Sequence, residues 1–298
     1  MCGIVGLFLK DQSLYNQLGN LLSQMLLTMS DRGPDSAGVA VYGEPSNTKS
    51  KITVQSNNYL CDFELLKNLL KQELGENINI DCKDSHAVIR ADNAHLKDIQ
   101  ELMNNHIPNL RIMSTGASVE IYKETGLPSA VIERFSIDKM TGSHGIGHTR
   151  MATESAVTTL GAHPFSTAPD QCLVHNGSLS NHNNLRRNLT RDGIKIETEN
   201  DSEIAAAYLT NKMSSGATLG KALEDSLNDL DGFFTFVVGT KQGFGVLRDP
   251  IACKPAVMAE TDQYVAFGSE YRALVDLPKI AAAKVWEPEP ATVYFWTH

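Results

Sequence analysis

The sequence predicts a layered α+β fold, and three observations lead to it. Apolar residues recur at helical spacing in several segments, which indicates amphipathic helices. Between them lie short apolar runs bounded by Gly, Asp or Asn, which indicate strands. In the second half, four such runs follow one another through short turns, as antiparallel strands do. Helices and antiparallel strands bury their apolar faces by packing in layers, and a chain of 298 residues is long enough to bury a large core.

The first half of the chain begins with a predicted strand over 4–9 and a helix over 14–29. Leucine and methionine residues of this helix recur at i, i+4, i+7, i+8, i+11, i+12 and i+15, so they lie on one face. Turn-forming residues at 31–35 end the helix, and a strand over 37–42 follows. The polar segment 44–58 is expected to be a loop or an exposed hairpin. A helix, a strand, a helix and a strand are then predicted at 62–74, 86–90, 95–105 and 118–122.

Turn signals become more frequent after Gly145. A strand over 172–175 is expected to end at Asn176-Gly177, which is a common turn pair. Helical patterns predict two helices, over 202–213 and 217–228. Four consecutive strands are then predicted at 233–239, 243–247, 256–259 and 264–268.

The composition excludes several classes of protein. There are 26 Lys and Arg residues against 35 Asp and Glu, a net charge of −9, whereas a broad nucleic-acid surface needs a basic excess. No apolar run approaches the ~18 residues of a membrane span, and residues 1–9 lack the positive region of a secretory signal. The five cysteines include no Cys-x-x-Cys pair, so neither a disulfide framework nor a thiolate zinc site is predicted. We therefore expect a cytoplasmic protein with no nucleic-acid partner and no membrane association.

A cysteine directly after the initiator methionine is the first candidate for chemistry. Because the side chain of Cys2 is small, removal of Met1 is expected, and this would leave a free α-amine on the same residue as the thiol. An α-amine has a pKa of about 7.7–8.0, close to ambient pH, so it can accept the proton of the thiol and activate it. The alternative is a buried, inert cysteine that begins a strand.

Three later positions could complete such a site. Arg150 lies in a loop-like context and offers a planar fork for a carboxylate, or else forms a surface salt bridge. The side chain of Asn176 and the backbone N–H of Gly177 could stabilise an oxyanion, or else form a plain turn. Asp201 precedes a helical pattern, so its carboxylate could bind a ligand while Asp201 or Ser202 caps the helix.

Six segments that include these residues occur in an order typical of one family. Each segment alone is a weak signal, but the ordered set is specific. From Cys2 to about Ala273 the chain resembles the glutaminase domain of class II glutamine amidotransferases, which are N-terminal-nucleophile hydrolases. The segments are CGIVG at 2–6, RGPDSAG at 32–38, HTRMAT at 148–153, HPF at 163–165, HNG at 175–177 and NDSE at 200–203.

The resemblance implies a fold and a catalytic set. The fold is a four-layer αββα sandwich, here one domain over 2–298 with an α+β insertion expected at about 44–143. Cys2 would attack the side-chain amide of L-glutamine and form a thioester, while its own amine moves the proton. Asn176, through its side chain, and Gly177, through its N–H, would hold the oxyanion. Ammonia would leave first, and water would then release glutamate.

The resemblance also implies how the amino-acid end of glutamine is bound. Arg150 would bind the α-carboxylate, with Thr153 nearby, and Asp201 would bind the α-ammonium group. Many members of the family have tryptophan after the arginine and histidine after the threonine, but this chain has Met151 and Glu154. These departures change the side-chain contacts expected around the arginine loop and leave the arginine itself in place.

Four longer phrases resemble the stand-alone glutaminase-type subunit of N-methylglutamate synthase and of glutamate-synthase-like complexes. The resemblance implies two protein partners: a larger flavin-dependent synthase subunit, which makes N-methylglutamate from methylamine and glutamate, and a glutamate-synthase-like third subunit. It implies no cofactor in this chain, whereas FMN and an iron–sulfur cluster are cofactors that the partners could carry. It leaves open whether glutamine itself is the nitrogen donor. The phrases occupy 147–155, 170–183, 248–260 and 286–294.

Three rival interpretations remain at the level of sequence. Another N-terminal-cysteine amidase, acting on penicillin-like or bile-acid amides, would share Cys2 but not the clamp for an amino acid. A non-catalytic scaffold subunit could keep the fold without the reaction. A zinc site built from His148, His163 and His175 is disfavoured, because structural zinc sites usually include thiolates at set spacing.

Overall fold

Two antiparallel β-sheets stack face to face in the computed structural model, which describes residues 2–75, 78–152 and 156–298. The strands are β1 Gly3–Leu9, β2 Ser36–Tyr42, β3 Lys49–Gln55, β4 Asn79–Lys83, β5 His86–Asp92, β6 Arg111–Gly116, β7 Val119–Thr125, β8 His144–Arg150, β9 Phe165–Ala168, β10 Gln171–Leu179, β11 Gly232–Thr240, β12 Gly243–Arg248, β13 Val257–Glu260, β14 Tyr264–Gly268, β15 Lys284–Trp286 and β16 Val293–Thr297. The helices are α1 Leu18–Leu27, α2 Tyr59–Leu74, α3 Leu96–His106, α4 Pro128–Phe135, α5 His182–Arg191, α6 Asp201–Ser214 and α7 Leu219–Asp229. Short 3-10 turns lie at Gln12–Gln17, Ser30–Arg32, Asn93–His95, Ile137–Lys139, Tyr271–Leu274 and Ile280–Ala282.

The first sheet has β1 at its centre. Its strand order is β15-β13-β14-β1-β8-β2-β7, and every neighbouring pair is antiparallel. On β1, Gly3 lies opposite Thr149 of β8. A Cβ on Gly3 would lie 2.8 Å from both Met29 Cβ and Thr149 Oγ1, so only glycine lets the end of the α1 segment and β8 approach β1 this closely. The second sheet has the order β16-β12-β11-β10-β9 and is also antiparallel.

Three apolar clusters hold four layers together. Ile4, Phe8 and Ile146 of the first sheet pack against Val174 and Phe244 of the second. The outer face of the first sheet is covered by α1 and α4, and the outer face of the second sheet is covered by α5, α6 and α7. The predicted four-layer αββα sandwich is therefore confirmed. None of the α-helices in the described part of the chain combines the length and the apolar character that crossing a bilayer requires.

A third, four-stranded sheet lies outside the sandwich. Its order is β4-β5-β3-β6, and it forms a separate core with α2 and α3, in which Ile52, Phe63 and Ile99 are buried. Strand β7 pairs with β2 in the first sheet, and α4 packs on that sheet, although both lie inside the range predicted for the insertion. The boundaries of 44–143 remain a prediction, within which strands β3 to β6 form the separate sheet and α2 and α3 its two helices.

Two expectations about the first half of the chain were wrong. The segment 44–58 is neither a loop nor an exposed hairpin, because β3 pairs with β5 on one side and β6 on the other. It has only two aliphatic residues at strand spacing, Ile52 and Val54, with lysines before them and polar residues after them, so the apolar signal is short. The helix predicted over 14–29 is divided into a 3-10 turn and α1, which ends at Leu27.

Asp170 connects the second sheet to the segment that follows the four-stranded sheet. Its carboxylate accepts hydrogen bonds from the backbone N–H groups of Ala117 (2.7 Å), Ser118 (2.8 Å) and Val119 (3.1 Å), and from the Ser118 hydroxyl (2.9 Å). Hydrogen bonds to a charged acceptor are stronger than those between neutral groups. The segment between β6 and β7 is thereby fixed on the edge of the sandwich.

Several histidines are buried in the fold and are therefore held neutral. His144 stacks on Tyr42 with the ring centroids 4.2 Å apart, and its Nε2 lies 2.9 Å from the Thr240 carbonyl oxygen. His86 packs edge-on against Phe135. Burial lowers the pKa values of His86, His144 and His148 to about 3, because the charged ring loses its hydration.

We predict that the protein loses stability in mild acid, because these buried histidines are protonated in the unfolded chain and not in the folded one. In the unfolded chain each histidine binds a proton below its ordinary pKa of 6.5, whereas the folded protein does not bind it until the pH approaches about 3. The free energy of unfolding therefore falls as the pH drops below 6.5, by about 2 kcal/mol per histidine at pH 5. Urea unfolding of the wild type and of His144→Phe at pH 7.5 and pH 5 checks this. The variant should lose about 2 kcal/mol less than the wild type between the two pH values, and an equal loss would contradict the prediction.

Candidate active site

A cleft of about 650 Å³ opens where the start of β1 and the end of β8 meet β10 and the start of α6. Four of the six residues predicted for the site line it: Cys2, Arg150, Gly177 and Asp201. Asn176 lies beside it, and Thr153 lies outside the described residues. The other lining residues are Met151, Ala152, His163, His175, Ser178, His182, Asn183, Glu199, Asn200, Ser202, Phe233 and Lys254.

Cys2 is held in place through its own carbonyl group. It directly precedes β1, and the pairing of Gly3 with Thr149 sets it across from Arg150, the residue that follows Thr149. Its carbonyl oxygen accepts hydrogen bonds from Arg32 Nε (3.0 Å) and from Asn176 Nδ2 (3.3 Å). The residue is only partly buried, and Sγ lies 3.9 Å from the Met151 carbonyl oxygen. The backbone is thus anchored while the side chain faces the cleft.

Arg32 is a site residue that was assigned no role from the sequence, although it lies in the 32–38 motif. Its side chain is buried and forms an ion pair with Glu270 through Nη1. A guanidinium group has five N–H donors in a rigid fork, so it can bind the Glu270 carboxylate and the Cys2 carbonyl at once. Arg32 therefore ties the residue before β1 to the segment after β14.

Asn176 and Gly177 lie inside a strand and not in the predicted turn. The register between β10 and β11 runs without a break from Cys172 to Leu179, so the strand continues past the Asn-Gly pair. The Asn176 side chain is buried, and its Nδ2 carries a second N–H besides the one directed at Cys2.

Gly177 is required by close packing of the two strands. A Cβ at this position would lie 2.0 Å from the Phe233 carbonyl oxygen and 2.7 Å from His175 Nε2, which no side chain could tolerate. Asn176 and Gly177 thus place an amide side chain and a bare stretch of backbone beside Cys2.

Arg150 is the last residue of β8, and so it is part of a strand and not in a loop-like context as expected. The guanidinium is buried, and Nη1 donates to the Ala156 carbonyl oxygen over 3.3 Å. Asp35 holds the backbone on both sides: its N–H donates to the Arg150 carbonyl (3.1 Å), and its carboxylate accepts from the Ala152 N–H (2.8 Å). Asp35 belongs to the 32–38 motif, so this motif holds the backbones of both Cys2 and Arg150 in place.

Asp201 begins helix α6 and faces the cleft. The cap of the helix is Asn200, whose side chain accepts from the Ser202 N–H over 2.9 Å, and not Asp201 or Ser202 as expected. One oxygen of Asp201 accepts from the Leu179 N–H over 2.9 Å and the other from the Ser202 hydroxyl over 3.4 Å, while about a fifth of its side chain stays exposed. Negative charge is favoured at this position, because the first turn of a helix carries a partial positive charge.

Lys254 and Glu199 add a second charge of each sign to the lining. Lys254 Nζ lies 5.1 Å from the centroid of the Phe233 ring, within range of a cation–π contact. Its backbone carbonyl is held by Arg248 Nη2 over 2.9 Å. The sequence did not single out Lys254, although it lies within the 248–260 phrase. With Arg150 and Asp201, the described lining residues thus include two cations and two anions, an environment suited to a zwitterionic amino acid.

Two of the three histidines considered for zinc, His163 and His175, line the cleft, and His148 is fully buried next to them. His148 stacks on His163 with centroids 4.0 Å apart, and His148 Nε2 lies 3.1 Å from the His175 carbonyl oxygen. His175 Nδ1 lies 2.9 Å from Ser202 Oγ. Burial lowers the pKa of each ring, and the nearby Asp201 carboxylate only partly offsets this at His175. In the described ranges no group of three or more His, Cys, Asp or Glu side chains is placed to hold a metal ion.

Comparison with known proteins agrees with this geometry. A family model described as glutamine amidotransferase domain matches residues 148–276. The chain is 66% identical over 298 residues to the glutamine amidotransferase-like protein GlxB of Rhizobium meliloti (strain 1021), covering 100% of this chain and 99% of that protein. It is 33% identical to a putative glutamine amidotransferase of Methanothermobacter thermautotrophicus, covering 99% of each chain.

Other relatives match over part of their length. An amidophosphoribosyltransferase of Synechocystis is 31% identical over 159 residues, which are 50% of this chain and 32% of that protein. The solved structure of glutamine phosphoribosylpyrophosphate amidotransferase from B. subtilis has a TM-score of 0.63 at 18% identity, so it supports the fold. The match covers 99% of this chain and 47% of that one. The two relatives matched from end to end place the chain in an enzyme family: it belongs to the class II glutamine amidotransferases, which are N-terminal-nucleophile hydrolases.

Proposed function

We propose that this chain hydrolyses the side-chain amide of L-glutamine to glutamate and ammonia, with Cys2 as the nucleophile. The observation that carries the proposal is the placement of Cys2 in one cleft with Arg150 and Asp201, which have opposite charges. An α-amino acid carries a carboxylate and an ammonium group, so a cation and an anion can hold both while the side chain extends to the thiol. An amidase for substrates without an amino-acid end would have no use for this pair.

The first half of the proposed reaction begins after removal of Met1, which leaves Cys2 with a free α-amine. The amine takes the proton of the thiol, and Sγ attacks the amide carbon. The negative charge that develops on the amide oxygen is held by Asn176 Nδ2 and the Gly177 N–H. Losing one such donor typically lowers the rate about 100- to 1,000-fold. The amine then gives its proton to the departing nitrogen, the C–N bond breaks, and ammonia leaves a thioester on Cys2.

In the second half, water replaces ammonia. The amine of Cys2 takes a proton from the water as its oxygen adds to the thioester carbon, and the same donors hold the new oxyanion. Collapse of this intermediate breaks the C–S bond, glutamate is released, and Sγ recovers the proton. One residue thus supplies both the nucleophile and the base, because its amine and its thiol are attached to the same Cα.

We assign binding of the amino-acid end of the substrate to the end of one strand and the start of one helix. In the proposal, Arg150 at the end of β8 pairs with the α-carboxylate, with Thr153 nearby, and Asp201 at the start of α6 pairs with the α-ammonium group. A guanidinium matches a carboxylate through two parallel hydrogen bonds, which fixes the orientation of the substrate. The support for this assignment is that both side chains line the cleft that contains Cys2.

We further propose that the chain works as a cytoplasmic subunit of a glutamate-synthase-like or N-methylglutamate synthase complex. The support is the resemblance of four long phrases to the glutaminase-type subunit of such complexes. Ammonia would then be used by a larger flavin-dependent subunit, beside a glutamate-synthase-like third subunit. In this proposal FMN and an iron–sulfur cluster belong to the partners, and this chain needs no cofactor, because thiol, amine and hydrogen-bond donors suffice for amide hydrolysis.

Replacement of Cys2 tests the reaction. We predict that Cys2→Ala lowers glutamine hydrolysis at least 1,000-fold, because the variant lacks the nucleophile. The matched control is Cys253→Ala, which removes an exposed cysteine outside the proposed machinery and should keep the wild-type rate. Release of glutamate and ammonia is measured for all three proteins, with penicillin-like and bile-acid amides as competing substrates. Full activity of Cys2→Ala, or faster hydrolysis of the other amides than of glutamine, would contradict the proposal.

Affinity purification tests the complex. When the chain carrying a C-terminal tag is isolated from its native cells, we expect it to retain a larger polypeptide with the absorbance spectrum of a bound flavin. Recovery of the chain alone, with full activity toward its amino acceptor, would contradict the split-synthase proposal and leave the glutaminase reaction untouched.

A further inference from the structure

Lys123, on β7, has its charged end inside the protein. Its residue surface is only 4% exposed. The Nζ donates to three backbone carbonyl oxygens, those of Leu160 (3.1 Å), Ala162 (2.8 Å) and Pro164 (3.2 Å). An ammonium group has three N–H donors, so all of its donors are used on one short segment. It also lies 4.5 Å from the centroid of the Phe165 ring.

The segment held by Lys123 is a wall of the candidate active site. Its His163 lines the cleft and stacks on His148. The Gly161 carbonyl accepts from Asn200 Nδ2 over 3.3 Å, and Asn200 is the cap of the helix that begins with Asp201. The segment therefore touches the support of Asp201 directly.

The same wall reaches Arg150. The Arg150 Nη1 donates to the Ala156 carbonyl, a few residues upstream of the held segment. A Cβ on Gly161 would lie 3.3 Å from Arg150 Nη1, so the Gly161 backbone passes close to the guanidinium. Glu124, the neighbour of Lys123 on β7, accepts a hydrogen bond from the Thr159 hydroxyl and holds the intervening residues.

A buried charge at this place is costly for stability. Moving an ammonium group out of water is unfavourable unless its donors are all paired, and apolar side chains of similar size often give equal or greater stability. Burial lowers the pKa of Lys123 to about 7. The Glu203 and Glu197 carboxylates oppose this shift, and the Arg150 guanidinium adds to it. The neutral rings of His86 and His163 also face the ammonium group.

We propose that Lys123 is a positioning residue of the active site. It holds the 160–164 segment, and through that segment it sets Arg150 and the start of α6 in the arrangement that binds the amino-acid end of the substrate. The proposal rests on the proposed function, since it takes Arg150 and Asp201 as the groups that bind glutamine. Lys123 itself touches neither the substrate nor Cys2, so it should affect substrate binding more than the chemical step.

The variant Lys123→Met keeps the length and apolar stem of the side chain and removes the three donors. We expect the KM for glutamine to rise at least 10-fold while kcat changes less than threefold. The matched control is Lys51→Met, which removes another largely buried lysine. Lys51 lies on β3 of the four-stranded sheet and pairs with Glu120 on β7 over 2.9 Å. Its KM should stay within twofold of the wild type. Equal KM values in the two variants, or a loss of kcat at unchanged KM in Lys123→Met, would overturn the proposal.

Hydrogen exchange on the wild type gives a second test, which does not need a stable variant. Above pH 7 Lys123 loses a proton and with it one of its three hydrogen bonds to the segment. After correction for intrinsic rates, protection of the 158–163 amides should fall between pH 6 and pH 8.5, while that of β14 stays constant. Unchanged protection of 158–163 would overturn the proposal.

These tests separate the two proposals. If Cys2→Ala remains active, the glutaminase proposal fails, whatever Lys123 does. If Cys2→Ala is inactive and Lys123→Met binds glutamine as the wild type does, the reaction stands and the positioning role of Lys123 fails.

Discussion

The pairing of β1 with β8 is the constraint on which the rest of the site depends. In this register Gly3 lies opposite Thr149, so Cys2 and Arg150 are neighbours at the open end of the sheet. Alternate residues of β8 face opposite sides: the glycines and Thr149 lie under α1, and the histidines face the second sheet. A slip of one residue would exchange these faces, placing histidines under the helix. The strand register that packs α1 correctly is therefore also the register that places Arg150 beside Cys2.

Polar groups buried behind the cleft convert this register into a fixed geometry. Arg32, in the 3-10 turn that follows α1, and Asn176, on β10, hold the Cys2 carbonyl from two sides. Lys123 and Asn200 hold the wall that approaches Arg150, and the histidines fill the remaining space without charge. The three donors of Lys123 are all paired, which matters because an unpaired buried polar group destabilises the fold. The arrangement is consistent with a site in which a thiol, an amide and two opposite charges must stay within hydrogen-bonding reach of one substrate.

Sequence reasoning recovered the elements with strong local patterns and the order of the motifs. It placed β1, β2, α2, α6 and α7 nearly as the structure has them, because their apolar periodicity is long or their ends carry turn signals. It missed β3, whose burial depends on two partner strands distant in sequence. It also took Asn176-Gly177 as a turn, because the local preference of this pair is overridden by pairing with β11.

The candidate site was predictable only where a motif was available. Cys2, Arg150, Gly177 and Asp201 belong to ordered segments, and the structure brings them to one cleft. Lys123 and Lys254 carry no local signal, because a lysine in a strand or a loop is usually a solvated surface residue. Lys123 makes its contacts 37 or more residues away in sequence, and Lys254 contacts the ring of Phe233 on β11, so neither role can be read from local sequence. The most direct measurement of the central claim is peptide mass mapping of the wild-type protein after reaction with a diazoketone analogue of glutamine. We predict one adduct per chain, on a Cys2 that has lost Met1, and protection by excess glutamine; an adduct on another residue with Cys2 unmodified, or an active protein that retains Met1, would contradict it.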